Sequence, residues 1–405
     1  MKNEEFLGNM KHHRIIIAIV ATLTVVTAKA QHTVLDSIEA NNTTLIALRT
    51  EAEARKLENR TGITLADPEV GYKHMWEGAE ESGNLTELTV TQSIDLATVM
   101  GQRTRVAREQ NLLIDEEYRM ARMEILLDAQ LTLIDLAYYN ALSAELDRRL
   151  THARRVAEAE KTRLESGDTD ALSYNNVLLS LSSLEAEKAR VDMEQGVLVA
   201  RLTALNGGVA LGNLDNLESL GNLESLGNLD FSVWYTEAEP HLPQLAQARQ
   251  LSEVRSGELV LAKALHLPTL SATYINERHT VGTRSQGVAV GVSIPLWANK
   301  NRVHSARTAL QAAEAHQADT ELQLRSVFEQ EFTRVKGLHH TATLYRRALD
   351  EANNTALLEK AMDEGYISVL EYLQGIELYY DCLDRSLSAD RDYQRALAIL
   401  EACRL

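Results

Sequence analysis

The stretch GVAVGVSIPLW, Gly287 to Trp297, alternates Val288, Val290, Val292, Ile294 and Leu296 with Ala289, Gly291, Ser293 and Pro295. Period two with one apolar side reads as a strand. Two hundred positions upstream, in ELTVTQSIDLA (Glu87 to Ala97), Leu88, Val90, Ile94 and Leu96 fall at the matching places, and Ser93 matches Ser293. Pro68 in ADPEVGYKHMW and Pro268 in HLPTLSATYIN keep the same offset. Self-similarity at so long an interval is one duplication, not a short-period solenoid.

All four strand segments share one register. Even positions carry the apolar or aromatic side: Val70, Tyr72 and Trp76, then Leu88, Val90, Ile94 and Leu96, then Leu270, Ala272 and Tyr274, then the quoted strand. Odd positions hold Glu69, Lys73, Thr89, Thr91, Asp95, Thr269, Ser271 and Thr273. Apolar-out and polar-in over about ten residues per strand is the pattern of a transmembrane barrel. Trp76 and Trp297 stand at strand ends, where interfacial aromatic girdles sit. The competing reading of this alternation is a pair of soluble hairpins packed on helices. In the membrane reading, four strands cannot close a barrel and open edges are not tolerated in lipid, so the chain must associate with copies of itself. Pro295 marks a strand exit, where a backbone donor can be spared.

The chain has five prolines, and none lies in Leu96–Leu205 or Leu296–Leu405. Both tracts are rich in Ala, Leu, Glu, Arg and Gln, the strong helix formers. Leu373, Ile376, Tyr380, Leu383 and Leu387 form a heptad-like seam, and Leu324, Phe328, Phe332, Val335 and Leu338 form another. Each tract has one break, ESGDTDALSY at Gly167 and DEGYISVLEY at Gly365, with glycine as a C-cap signal and Thr or Ser following as an N-cap. Gly167, Leu172 and Tyr174 match Gly365, Leu370 and Tyr372. Each half therefore reads helix, β-hairpin, long helix, tight turn, medium helix.

The first repeat covers residues 31–206, with a hairpin over 66–96, a long helix over 97–164 and a turn over 165–175. A connection over 207–240 follows, then a second repeat over 241–405 with its hairpin at 267–297, long helix at 298–362 and turn at 363–372. The helices before the hairpins span about 34–58 and 242–264. Each long helix would run on the order of 100 Å and needs a partner along its length. A short and a medium helix stacked end to end would supply one. The connection holds a tandem hexapeptide, NLESLGNLESLGNLD, from Asn216 to Asp230. It reads as a slippage-born insertion in a surface segment.

A net charge of −17 over 405 residues disfavours nucleic acid, whose phosphates need Lys and Arg. Two cysteines, Cys382 and Cys403, fall on one helix and cannot pair within it. Residues 1–30 carry a basic start, an apolar run from Ile15 to Thr27 and Ala28-Lys29-Ala30, which read as a signal peptide cut before Gln31; a membrane anchor is the competing reading, for which the apolar run is shorter than the roughly 20 residues a span needs. Nothing marks an enzyme, a cofactor or a metal site: no phosphate loop, nucleophile elbow or HExxH occurs. His339 and His340 are adjacent, and neighbours on a helix point about 100° apart, so they do not share an ion.

With these features on the page, SIPLWANKNR, QSIDLATVMGQR and EGYISVLEYLQG make the chain resemble the TolC-like outer-membrane efflux proteins, over essentially its whole mature length. The resemblance implies a mostly helical trimer whose twelve strands form an outer-membrane barrel and whose twelve helices form a periplasmic tunnel. It implies an exit duct for tripartite efflux or secretion, set in outer-membrane lipid, with a periplasmic adaptor and an RND-type inner-membrane transporter as partners. Pro68, Trp76, Pro268, Pro295 and Trp297 then mark the ends of the membrane strands. The turns carrying Gly167 and Leu172, and Gly365, Ser368 and Leu370, form the periplasmic tip that meets the adaptor. Glu371 stands where such proteins narrow the tunnel with an acid, and Gln374 stands where a second acid often occurs, a departure from a double carboxylate ring. On its own, Glu371 reads equally as a solvated helix face. An exported periplasmic coiled-coil scaffold is the alternative, and it leaves the matched hairpins unexplained.

Deleting one hexapeptide copy, Asn222 to Gly227, is expected to leave assembly intact. The detergent-extracted deletion protein should elute with the same mass as wild type. A shift to smaller species would make the tract structural.

Overall fold

The computed structural model describes residues 33–76, 84–95, 97–212, 214, 230–280, 282–297, 299–352 and 354–405. The leader expected over 1–30, and the hexapeptide tract except Asp230, lie outside them. The element order is α1 (33–41), α2 (Thr43–Glu58), β1 (Glu69–Met75), β2 (Leu85–Ile94), α3 (Ala97–Ser166), α4 (Ala171–Leu205), α5 (Phe231–Ala238), α6 (Pro243–Ala264), β3 (Thr269–His279), β4 (Arg284–Ser293), α7 (Arg302–Glu351), α8 (Thr355–Asp363) and α9 (Val369–Glu401). Among the described residues no helix is long and apolar enough to cross a membrane.

The chain divides into two compact units. One holds residues 47–120 and 239–325, with the sheet and the helical segments that feed it. There α2 is tied to α3 by Arg55 to Glu117 at 2.6 Å, by Lys56 to Asp115, and by Asn59 to Asn111 at 2.9 Å. The α6 helix approaches α3 closely at Gly257, where a Cβ would lie 3.2 Å from Val106. The strand exit is clamped by Asn299, which is buried and donates its side-chain amide to the Leu265 carbonyl at the end of α6. Asn301, at φ 65°, then turns the chain into α7, and asparagine is among the few non-glycine residues that visit this region readily.

The other unit holds the described residues up to Ile46, with 121–238 and 326–405. Its core runs in clusters along α3, around Leu133 and Leu136, around Leu142 and Leu146, and around Val156. Arg149 is almost wholly buried and makes a two-pronged pair with Asp384 at 2.7 and 3.0 Å, a bond to Glu145 at 3.2 Å, and a stack on Tyr380. Every charge it brings inside is matched, as burial requires.

Three sequence expectations are corrected. The helix expected over 34–58 divides at Asn42, whose Oδ1 accepts from Leu45 N (2.9 Å) while its Nδ2 donates to the Leu205 carbonyl (2.8 Å). The long helix expected over 298–362 divides into α7 and α8, with Asn354 at the N-cap of α8. Asparagine competes with the helix backbone for hydrogen bonds, so an Asn-Asn run favours a boundary. The connection over 207–240 contains a packed helix, α5, whose Phe231 meets Phe332 edge-on and whose Trp234 packs at a tilt against Phe332 and Phe328.

The C-terminus of α4 is fixed by a polar knot. Asn206 Oδ1 accepts from Ser37 Oγ and Asn41 Nδ2, each at 3.1 Å. Gly207 follows at φ 67°, and a Cβ there would sit 2.3 Å from the Asn41 carbonyl oxygen. Gly207→Ala therefore meets both the left-handed penalty of roughly 1–2 kcal/mol and a backbone clash. Its melting temperature in detergent should fall by several degrees, while Gly208→Ala, also at positive φ (82°) but with open space around it, should fall less.

Candidate functional site

The four strands form one antiparallel sheet in the order β1-β2-β3-β4. The two hairpins of the duplication are joined through β2 and β3, and β1 and β4 remain edges. Register pairs even with even: Val70 with Val90, Val90 with Tyr274, and Tyr274 with Val288. One face is thus apolar across the four strands around the Val70–Val90–Tyr274–Val288 row and on to Ile94, Leu270 and Val292, and it turns polar towards the hairpin loops at His74, Thr86, Asn276, Arg278, Arg284 and Gln286. Val288 and Val290 are each 76% exposed, so this face does not pack on helices within the unit, against the soluble-hairpin reading. A contiguous exposed apolar face marks an interaction or membrane surface.

The odd face is polar and small. Thr91 and Thr273 hydroxyls meet at 3.0 Å, and Lys73 reaches Glu87 at 3.4 Å. Gly71 lies opposite Thr89 and Gly291 opposite Ser271, and a Cβ on either glycine would come within 2.6 or 2.5 Å of the facing hydroxyl oxygen. Pro68 and Pro268 immediately precede β1 and β3, and Pro295 follows β4 by two residues. Trp76 and Trp297 follow β1 and β4, which end at opposite rims of the sheet, and they are 79% and 81% exposed.

In the other unit, both tight turns line one groove of about 690 Å³, bounded by Val156, Glu160 and Arg163 of α3, Thr169 and Ser173 beyond it, and residues 362–370. The turns share one backbone solution. Gly167, at φ 82°, donates to Leu164 O and Asp168 to Arg163 O; Gly365, at φ 75°, donates to Met362 O and Tyr366 to Ala361 O. That paired reach-back is the Schellman closure, which satisfies the last helical carbonyls and selects glycine. Three residues on, the next helix is capped: Asp170 accepts from Ser173 N at 2.8 Å, and Ser368 Oγ from Glu371 N at 3.2 Å. The first N-cap is Asp170, one residue past the expected Thr169.

Leu172 and Leu370 occupy matching exposed positions. Glu371 and Gln374 are exposed neighbours on α9. The Glu371 carboxylate is engaged locally, accepting from Ser368 N at 2.8 Å and Ser368 Oγ at 2.9 Å, a capping box. The backbone donor first, and the hydroxyl second, hold its pKa below the ordinary carboxylate value. Asp170 is likewise held low, chiefly by Ser173 N–H. Glu160 is buried in the groove wall; one oxygen accepts from Arg163 at 2.6 Å, and the other has no partner. Sequence reading missed Glu160, because nothing local distinguishes it from the other acids of α3. Among the described residues no cluster of His, Cys, Asp and Glu could hold a metal.

Residues 234–403 match the family model described as outer membrane efflux protein. The fold is similar to that of a membrane protein from Pseudomonas aeruginosa, at 17% identity and a TM-score of 0.72, covering 92% of this chain and 90% of that one. It is similar to CusC, described with transmembrane channel formation, at 14% identity and a TM-score of 0.74, covering 93% of this chain and 92% of that one. It is similar also to the outer membrane protein VceC from Vibrio cholerae, at 16% identity and a TM-score of 0.72, covering 93% and 96%. No curated protein matches by sequence. The class defined is a mostly helical chain with a small antiparallel sheet, built as outer-membrane channels are. The resemblance to the TolC-like outer-membrane efflux proteins holds, in sequence over the second half and in fold over nearly the whole chain.

Ser368→Ala removes the N-cap acceptor of α9 and should cost about 1 kcal/mol, read as a lower melting temperature in detergent. Glu371→Gln should leave melting near wild type, because a glutamine oxygen can still accept from Ser368 N. If Glu371→Gln melts as early as Ser368→Ala, the carboxylate's charge is structural.

Proposed function

We propose that this chain is the outer-membrane exit duct of a tripartite efflux or secretion system, a passive channel through the outer membrane and periplasm. The observation that carries this is the sheet, with an exposed apolar band on one face and two edges that have no partner strand among the described residues. An edge left open in lipid costs several kcal/mol for each unsatisfied backbone group. Three copies joined β4 to β1 give twelve strands, enough to close. The leader over residues 1–30 exports the chain, and Trp76 and Trp297 sit at the two membrane interfaces.

The two turns form the periplasmic tip, and their groove receives the adaptor. Leu172 and Leu370, exposed at matching places on the two turns, support this reading. The adaptor links the duct to an RND-type inner-membrane transporter. Three copies of Glu371, with Gln374 beside each, form a single acidic layer at the narrowest part of the tunnel and draw cations to it.

Mass measurement in mild detergent should give three chains; a stable monomer overturns the proposal. Cysteines at Thr169 and Ser368 should crosslink to the adaptor in cells, and failure there with assembly intact would remove the tip assignment alone. Because Glu371→Gln keeps the cap and removes the charge, it isolates the acidic layer. It should lower cation selectivity and weaken multivalent-cation block in planar bilayers, and Gln374→Glu should raise both. No change in either variant leaves Glu371 as a cap only.

A further inference from the structure

The polar end of the even face is concentrated on β3 and β4. There Asn276 pairs with Gln286 and Arg278 with Arg284, so four donor-bearing side chains stand together on neighbouring strands. The next even row inwards, Tyr274 with Val288, belongs to the apolar band. Arg278 and Arg284 are exposed, and among the described residues neither has an ion-pair partner. Like charges directly opposite one another destabilise a strand pair. In a chain of net charge −17, two arginines set face to face without a carboxylate call for an anion from outside.

The odd face at the same level is the reverse. Lys73, Glu87, Glu277 and Ser285 form one row across it, with Lys73 tied to Glu87 at 3.4 Å and a second carboxylate beside them. The excess of positive charge is thus confined to the side of the sheet that carries the apolar band. The helices leave the sheet after β2 and β4, so the arginines stand at the opposite, hairpin end. Arg284 and Val292 are eight residues apart on β4, about 27 Å at about 3.4 Å per residue. A strand tilt of roughly 40° leaves about 20 Å of height, against an apolar band about 25 Å tall in membrane barrels. A guanidinium on its flexible stem spans the rest and reaches the rim. Trp76 stands at the same end, its ring edge-on to His74 with centroids 4.8 Å apart, as an interfacial aromatic does.

We propose that Asn276, Arg278, Arg284 and Gln286 bind the phosphorylated headgroup of an outer-leaflet lipid, whose acyl chains lie along the apolar rows beside them. This rests on the reading of the sheet as part of a membrane barrel. Two neighbouring guanidiniums hold one phosphate through paired N–H donors, and the phosphate offsets the repulsion between them. The carboxamides, one row nearer the middle of the band, donate to the lipid's acyl carbonyls and accept from its hydroxyls. A free phosphate gains only the arginine contacts. A lipid gains the apolar rows as well, and so is the occupant that the whole surface fits.

Native mass spectrometry of the detergent-purified protein with lipid A, a glycolipid bearing phosphate monoesters, tests this. Wild type should retain lipid A, and Arg284→Gln should retain it about tenfold less, as the loss of a charge-assisted bond implies. Lys73→Gln removes the same charge from the odd face and should bind as wild type does. Equal losses in the two variants would make the attraction one of overall charge and overturn the site. Arg278→Lys keeps the charge but not the paired donors, and should weaken retention several-fold. Inorganic phosphate at the same concentration should not displace the lipid; displacement would make this an anion site and overturn the lipid assignment. The same spectra report the assembly. A monomer that takes up no lipid removes the barrel reading and this one with it, whereas a trimer that retains lipid equally in wild type and Arg284→Gln overturns the lipid site alone.

Discussion

The backbone groups at the edges of β1 and β4 are the constraint on which the rest depends. An antiparallel sheet of four strands leaves one row of donors and acceptors on each side, and this chain supplies no fifth strand among its described residues. In water such an edge is a liability; in hydrocarbon it is prohibitive. The apolar even face carries the same message at the level of side chains, because it is contiguous only through the β2–β3 junction that unites the two halves. The odd face is built to bend. Gly71 and Gly291 stand opposite Thr89 and Ser271, where another Cβ would strike a hydroxyl. Glycines at such places let a sheet curl towards one side, as the proposed closure would need.

The duplication copies backbone more faithfully than side chains. Both turns end a helix with glycine at positive φ, close it with the same pair of reach-back bonds, and start the next helix from a capping oxygen three residues later. The chemistry laid over that frame differs. Tyr174 is half-buried, while its counterpart Tyr372 is buried against His152. Ser173 offers its backbone to Asp170, whereas Glu371 adds a carboxylate that returns to Ser368. One fold unit used twice thus gives a symmetric scaffold whose two caps place their acid differently, at the N-cap itself in Asp170 and three residues into the helix in Glu371.

The strands were legible because period two survives in every residue from Val288 to Leu296, and because Pro68, Pro268 and Pro295 bracket them. The turns were legible because glycine there answers a backbone need that no other residue meets as well. The missed boundaries share a different cause. Asn42 breaks a helix by bonding the Leu205 carbonyl, a partner far along the chain, so its role shows only in three dimensions. Trp234 looked like part of a connection until Phe328 and Phe332 supplied its partners. His152 and Tyr372 are 220 positions apart, and neither is unusual in its own helix. Local periodicity records burial and turns; it does not record which distant polar group answers which.

The cap at Glu371 and the proposed acidic layer need not compete. Three carboxylates facing one opening raise one another's pKa, since each disfavours ionisation of its neighbours. Left alone, such a layer tends to take up protons and lose the charge that gives it a purpose. Here each carboxylate accepts from its own Ser368 backbone and hydroxyl, and those bonds favour the ionised form. In such a layer the local donors would act against the mutual repulsion and favour the anionic form. They also fix the side chain against its own helix start, so that three copies would present the same geometry. Gln374 on the same exposed stretch adds no further repulsion, which lets one well-held acid per chain remain charged where two adjacent layers would press each other towards neutrality.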